Sequence, residues 1–149
     1  MMEFQIVPMQ GKHIPQIAEL EKLCFSDPWS ENSLRAELEN PLGLWLAALC
    51  GERLIGYIGS ELVPDEADLM NLAVAPDVRR QGVAEALLSS MLESLKARGI
   101  VSLTLEVRAS NRPAAALYEK FGFLQVGRRK NYYFHPTEDA CILRKEWSF

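Results

Sequence analysis

The stretch from Asp68 to Val107 constrains the fold more than any other part of the chain. A strand-like run, Asp68 to Ala75, stops at Pro76, and a short loop carrying Arg79, Arg80, Gln81 and Gly82 follows. Val83, Leu87, Leu88, Met91, Leu92 and Leu95 then recur at the spacing of a single helical face. Arg98-Gly99 closes that helix with a cation in its last turn and a glycine just beyond. Val101 to Val107 alternates strictly: Val101, Leu103, Leu105 and Val107 point one way, Ser102, Thr104 and Glu106 the other. A strand, a long one-faced helix and another strand in immediate succession require a sheet for the helix to cover, so the class is α/β.

The flanking segments fill in the layers. Glu3 to Val7 reads as a first strand, and Ile14, Ile17, Leu20 and Cys24 as a helix with Pro15 in its first turn. Ser26-Asp27-Pro28-Trp29-Ser30 breaks it, and Ser30 or Ser33 caps a second helix that runs through Leu38 and ends at Asn40-Pro41. Leu42 to Cys50 and Arg53 to Val63 form a hairpin across Gly51-Glu52, and Pro64-Asp65-Glu66 turns into the strand at Asp68. Ser110 or Asn111 caps a short helix with Pro113 in its first turn, running to about Lys120. Gly122 separates it from a strand at Phe123 to Val126, and Ala140 to Trp147 is the last strand. No repeat, linker or low-complexity tract interrupts the 149 residues. Residues 1–149 are therefore expected to form one domain, long enough to bury about 70% of the surface its unfolded chain exposes.

Charge and cysteine content narrow the function. Asp plus Glu outnumber Lys plus Arg by 20 to 16, a net charge of −4, which disfavours a chain devoted to nucleic acid or anionic membranes. Cys24, Cys50 and Cys141 are odd in number and form no C-x-x-C pair, so they read as small buried hydrophobes rather than disulfides or zinc ligands. Only His13 and His135 are available to a histidine-dependent nucleophile. The N-terminus has no basic-then-apolar leader, and the longest apolar run, Leu44 to Cys50, is far below the ~20 residues that span a bilayer. The expectation is a soluble cytoplasmic protein without a metal.

Two constellations have chemical content. The first is the loop Arg79-Arg80-Gln81-Gly82-Val83-Ala84 at the start of the long helix. A helix N-terminus offers unpaired N–H groups and partial positive charge to phosphate oxygens. Gly82 and Ala84 permit close approach of a ligand to the backbone, and Arg79 and Arg80 add cations. There is no G-K-[ST] and no G-x-G-x-x-G, so it is neither a Walker loop nor a dinucleotide fingerprint. The second is Glu106, late on its strand, with Tyr118 on the next helix, as proton acceptor and donor. On spacing alone, an ordinary loop-to-helix junction, a solvated strand glutamate and a packing tyrosine remain open.

The same residues carry a family resemblance. Arg79 to Ala84 matches [QR]-x-x-G-x-[GA], and Asn111 with Leu117 to Phe123 matches the A-x-x-L-Y-x-x-x-G-F segment, both characteristic of the GNAT N-acetyltransferase superfamily. Phe25 to Ser30, Asn71 to Val74, Leu105 to Asn111, Arg129 to Tyr133 and Glu138 to Ala140 resemble its ribosomal-protein-alanine N-acetyltransferase branch, the RimI type. The resemblance implies a mixed, twisted central sheet splayed after its fourth strand and flanked by helices, with acetyl-coenzyme A in the opening. It also implies Leu72, Ala73 and Val74 on the acetyl-pantetheine arm. Arg79, Arg80, Gln81, Gly82, Val83, Ala84 and Glu85 would lie on the pyrophosphate, with Asn111 also on the cofactor, Glu106 as base and Tyr118 as acid. Ala84 stands where a second glycine is commoner, which the pattern tolerates. Phe134-His135-Pro136-Thr137 is a short version of a loop that varies. The acceptor implied is the N-terminal alanine of a small-subunit ribosomal protein, the eighteenth, and the partners are that protein and acetyl-CoA, with no metal, no membrane and no nucleic acid contacted directly. The enzyme would be a monomer. Arg128-Arg129-Lys130, Tyr132, Tyr133 and Trp29 either line the peptide side or form a solvated strand face with core aromatics. Transfer to other N-termini, lysines or small amines, a non-catalytic cofactor-binding module, and a nucleotide-binding domain are the alternatives.

Overall fold

The structure, a computed structural model, describes residues 2–147; Met1, Ser148 and Phe149, which the expected domain includes, lie outside the described residues. The chain order is β1 (Gln5–Pro8), α1 (Ile14–Cys24), α2 (Glu31–Glu39), β2 (Gly43–Cys50), β3 (Arg53–Val63), β4 (Glu66–Val74), α3 (Val83–Ala97), β5 (Ser102–Arg108), α4 (Arg112–Lys120), β6 (Leu124–Tyr133) and β7 (Glu138–Glu146). All seven strands form one sheet in the order β1-β2-β3-β4-β5-β7-β6. Neighbours are antiparallel except β4 and β5, which are parallel across the crossover through α3.

The local causes are visible in the sequence. Pro15 occupies the first turn of α1, and the Ser30 hydroxyl accepts the Ser33 amide at 3.1 Å to cap α2. Of the two candidate caps for α4, Asn111 is the one used: its Oδ1 accepts the Ala114 amide at 3.2 Å. The whole stripe of α3 is buried, and each of its large apolar side chains contributes about 1.5–3 kcal/mol by leaving water.

The two faces of the sheet can be assigned from neighbouring residues of β3. A Cβ added to Gly56 would stand 3.1 Å from the Leu87 side chain, so that face lies against α3. Tyr57 points the opposite way, fully buried beneath α1, and stacks on Trp45 with ring centroids 6.1 Å apart. Trp29 meets Trp45 edge-on at 5.6 Å, and Gly59 must be glycine because a Cβ there would lie 2.3 Å from the Trp45 indole.

The sheet does not stay closed. β4 and β5 pair only at Glu66–Ser102, Ala67–Leu103 and Asp68–Thr104. Beyond Asp68, β4 follows β3 as far as Val74, while β5 follows β7 as far as Arg108, and the two strands diverge. The register of β4 against β3 jumps between Gly59–Asn71 and Ser60–Leu69, leaving Met70 as an extra residue, and such a bulge bends its strand. The apex of the split is pinned. Arg144 on β7 bonds Glu66 and, at 2.9 Å, the Thr104 hydroxyl, and Ser102 bonds Glu66 at 3.1 Å. The Arg144 guanidinium holds the Glu66 carboxyl below its ordinary pKa.

One strand differs from expectation. β6 runs on to Tyr133 rather than stopping at Val126. It is an edge strand, exposed along nearly all its length, with register breaks at Gln125/Gly127 and Arg129/Tyr133 that erase the period-2 signal. The cysteines are half-buried rather than buried, and all three are free thiols.

Candidate active site

The divergence of β4 and β5 opens a cleft of about 500 Å³. Its walls come from five segments: Leu69 to Leu72 on β4, Glu106 to Arg108 on β5, Asn111, Ala114 and Tyr118 around α4, the loop at Phe25–Trp29, and the end of β6 with the loop after it, from Tyr132 to Pro136. Leu72, Glu106, Asn111 and Tyr118 are thus brought to one cavity. The remaining expected site residues lie outside its lining, at the end to which β4 leads. A second depression, about 600 Å³, lies along Met2 to Gln5 and gathers no acid–base pair.

The α3 end of β4 is built largely from backbone. Ala73 and Val74 are buried, and the loop through Arg79, Arg80 and Gln81 is exposed. Gly82 caps α3 with φ +83° and no side-chain hydrogen bond. The first intrahelical bond runs from the Ala86 amide to the Gly82 carbonyl at 3.0 Å, leaving the amides of Val83, Ala84 and Glu85 without helical acceptors. Arg80 also holds a positive φ, +66°. A Cβ on Gly82 would meet nothing within 4 Å, so the approach to these amides is open. Loop, helix dipole and cation together suit a diphosphate. Val83 turns its side chain into the core and offers only its amide. Arg79 is folded back, with Nε 3.3 Å from the Val74 carbonyl and Nη2 3.6 Å from Cys24 Sγ. Glu85 bridges to Lys120 at 2.8 Å and ties α3 to α4.

The middle of the cleft carries the titratable pair. Glu106 is partly exposed and lies 3.3 Å from Arg129 Nε on β6. Tyr118 is 5% exposed and packs edge-on to Phe123 at 5.4 Å. Burial, with Tyr133 nearby, pushes its phenol far above the ordinary value, so it keeps its proton at neutral pH. The Tyr118 hydroxyl has no partner among the described residues and is not sealed from solvent, which leaves it facing the cleft.

The far end is made of side chains from remote segments. Trp29, Tyr132 and Tyr133 line it, while Arg128 instead pairs with Asp139 at 2.8 Å and Lys130 stands exposed, so the basic stretch divides. Arg108 organises the β6–β7 loop. It donates to the carbonyls of Phe134 at 2.8 Å and Pro136 at 2.9 Å, pairs with Glu138, and lies 4.5 Å over the Tyr133 ring. His135 Nδ1 lies 3.2 Å from Asp27 Oδ1, so the two loops meet.

Sequence reasoning missed Arg108 and Glu21. Arg108 continues the polar side of its strand, which reads as solvated. Glu21 left a signal: a carboxylate four residues after Ile17, on the buried face of α1. Among the described residues no cluster of three or more His, Cys, Asp or Glu is arranged for a metal ion, and no helix is long and apolar enough to cross a membrane.

Known proteins share this architecture. A ribosomal protein bS18-alanine N-acetyltransferase of Salmonella typhimurium is 41% identical over 135 residues, covering 87% of this chain and 88% of the relative. The protein of that name from Escherichia coli strain K12 is 38% identical over 143 residues, covering 93% and 94%. The crystal structure of the ribosomal-protein-S18-alanine N-acetyltransferase from Escherichia coli superposes with a TM-score of 0.91 at 34% identity, over 99% of this chain and 96% of that one. GNAT acetyltransferases take their acyl group from acetyl-CoA, and the open, uncapped amides at α3 fit its diphosphate. The acetyltransferase (GNAT) family model matches residues 14–123, and with the splayed sheet and near full-length relatives it follows that the chain belongs to that family.

Proposed function

We propose that this protein transfers acetyl from acetyl-CoA to the N-terminal alanine of a small-subunit ribosomal protein, bS18 by similarity to its relatives. The observation that carries the reading is the joint placement of Glu106 and Tyr118 on one cleft between the diverging strands, with Tyr118 kept protonated by burial. Leu72, Ala73 and Val74 would hold the acetyl-pantetheine arm. Arg80, Gln81 and the amides of Gly82, Val83, Ala84 and Glu85 would hold the diphosphate, with Arg79 bracing that loop from behind. Asn111, with its Oδ1 committed to capping α4, has its amide nitrogen left to donate.

Acetyl-CoA, when bound, supplies an activated thioester carbonyl. A free α-amino group has a pKa of about 7.7–8.0, so at neutral pH it arrives mostly as ammonium. Glu106 accepts that proton, directly or through a water, and frees the lone pair for attack. Backbone N–H groups on the edge of β4 that faces the split provide fixed donors to the carbonyl oxygen. The Tyr118 hydroxyl gives its proton to the departing sulfur as the carbon–sulfur bond breaks, and the second proton, shed by the nitrogen as it becomes an amide, returns to Tyr118 through solvent. Holding both reactants in one narrow cleft removes much of the entropic cost of their encounter.

In this reading the whole chain acts as one cytoplasmic, monomeric acetyltransferase domain that contacts a protein terminus and no nucleic acid. The experiment is a peptide panel: an Ala-starting peptide, the same peptide N-terminally blocked with free lysines, and small amines. Transfer is expected to the free alanine terminus. Transfer confined to lysines or small amines would overturn the assignment.

A further inference from the structure

Glu21 is fully buried in α1, one layer behind the cleft, and the acid–base pair does not use it. Its carboxylate takes two donors from two different walls. Oε1 accepts the Trp29 backbone amide at 2.8 Å, and Oε2 accepts Asn71 Nδ2 at 2.6 Å. Asn71 Nδ2 also lies 3.4 Å from the Tyr57 hydroxyl, so its amide nitrogen is engaged on the inner side. Asn71 Oδ1 has no partner among the described residues, is not sealed from solvent, and belongs to a residue lining the cleft. Burial raises the Glu21 carboxyl to about 7; above that pH it is an ionised carboxylate that can only accept, so it dictates which end of the Asn71 amide turns inward. The carbonyl oxygen is left for the cleft.

The position of Asn71 gives that oxygen a use. Leu72 to Val74 run from Asn71 toward the diphosphate loop, while Met70 and Leu69 run the other way. Asn71 therefore stands where the acyl donor ends and the acceptor begins. We propose that Glu21 is a positioning residue for the acceptor amine: it fixes Asn71 with Oδ1 toward the cleft, where that oxygen accepts an N–H of the attacking amino group. The same carboxylate pins the loop before α2 at Trp29, so one buried group sets both the acceptor atom and the aromatic wall beside it. Holding an N–H turns the amine's lone pair toward the thioester. The inference rests on the proposed transfer to an amino terminus.

The test is kinetic and uses the intact protein at pH 8 with acetyl-CoA and the Ala-starting peptide. In Glu21→Gln the new side-chain oxygen can still accept from Trp29, but its NH₂ then faces Asn71. Asn71 must turn its oxygen inward, presenting a donor to the amine. The peptide KM is expected to rise about tenfold, the size of one hydrogen bond exchanged for a mismatch, with the acetyl-CoA KM unchanged. Adding Asn71→Asp restores an acceptor inward and outward, because the amide introduced by Glu21→Gln now donates to a carboxylate. The double variant is expected to recover most of the peptide KM. Melting temperatures separate this from loss of fold, which would raise both KM values and would not be reversed by Asn71→Asp. A peptide KM within about twofold of wild type in Glu21→Gln overturns the inference, as does a double variant no better than the single one. Wild-type protein that acetylates no amino terminus overturns the functional reading first and this one with it, a result distinct from active wild type with unaffected variants.

Discussion

The two ends of the cleft are built on different principles. At the α3 end the groups proposed to bind are main-chain amides, displayed by Gly82 and the left-handed Arg80 with no side chain intervening. At the proposed acceptor end the walls are side chains, Trp29, Tyr132 and Tyr133, with Glu21 holding the Trp29 amide and Arg108 lying over Tyr133. On the proposed reading, the end made of backbone recognises what every reaction of this kind shares, a diphosphate. An end made of side chains from several segments can be changed residue by residue, and on the proposed reading discrimination among acceptors belongs there.

The largest expected effect lies between the two ends. Glu106→Gln should lower kcat by a factor of about 10² to 10⁴, the usual contribution of a positioned base, and Tyr118→Phe by a smaller factor. Steady-state assays check both, and full kcat in both would remove the acid–base assignment. Next in size is Gly82→Val, which puts a β-branched side chain at φ +83° in the open approach to the α3 amides. The acetyl-CoA KM should rise about tenfold or more while the peptide KM stays put; equal changes in both would mean that the ends are not separable. The smallest effect is Arg108→Gln, which frees the carbonyls of Phe134 and Pro136 and unpairs Glu138. A several-fold rise in peptide KM alone is expected, of the size of one or two partly exposed hydrogen bonds. A rise confined to acetyl-CoA would reverse the assignment of the two ends.

The same contrast explains what could be read from the amino acids alone. The strand, loop, helix and strand from β4 to β5 were legible because glycine, proline and a six-residue apolar stripe each have one local meaning. The cap of α4 was legible to one of two residues, Ser110 or Asn111, of which the structure uses Asn111. β6 was only partly legible, because a strand paired on one side tolerates Arg, Lys and Asn, and its two register breaks destroy alternation. Arg108 was illegible as a site residue, and Glu21 showed only as a carboxylate on a buried helix face without its role, because their partners lie 26–30 and 8–50 positions away along the chain. No local pattern reports a contact of that kind. The splitting of the sheet is accompanied by a bulge at Met70, which exists only by reference to how β3 pairs.

That split also bears on how the chain avoids sticking to others. A sheet normally has two edges, and each is an invitation to a foreign strand. Here there are four: β1 and β6 outside, and the parted flanks of β4 and β5 inside. The outer β6 edge carries Arg128, Arg129 and Lys130, charges of the kind that discourage pairing. The inner edges have no such guard on β4, where Leu69, Met70 and Leu72 are the residues an aggregating strand would seek. What protects them is enclosure, by α4, the loop at Trp29 and the loop at His135. The molecule keeps its most adhesive backbone at the bottom of a crevice, available to a slender ligand and closed to a neighbouring protein's sheet.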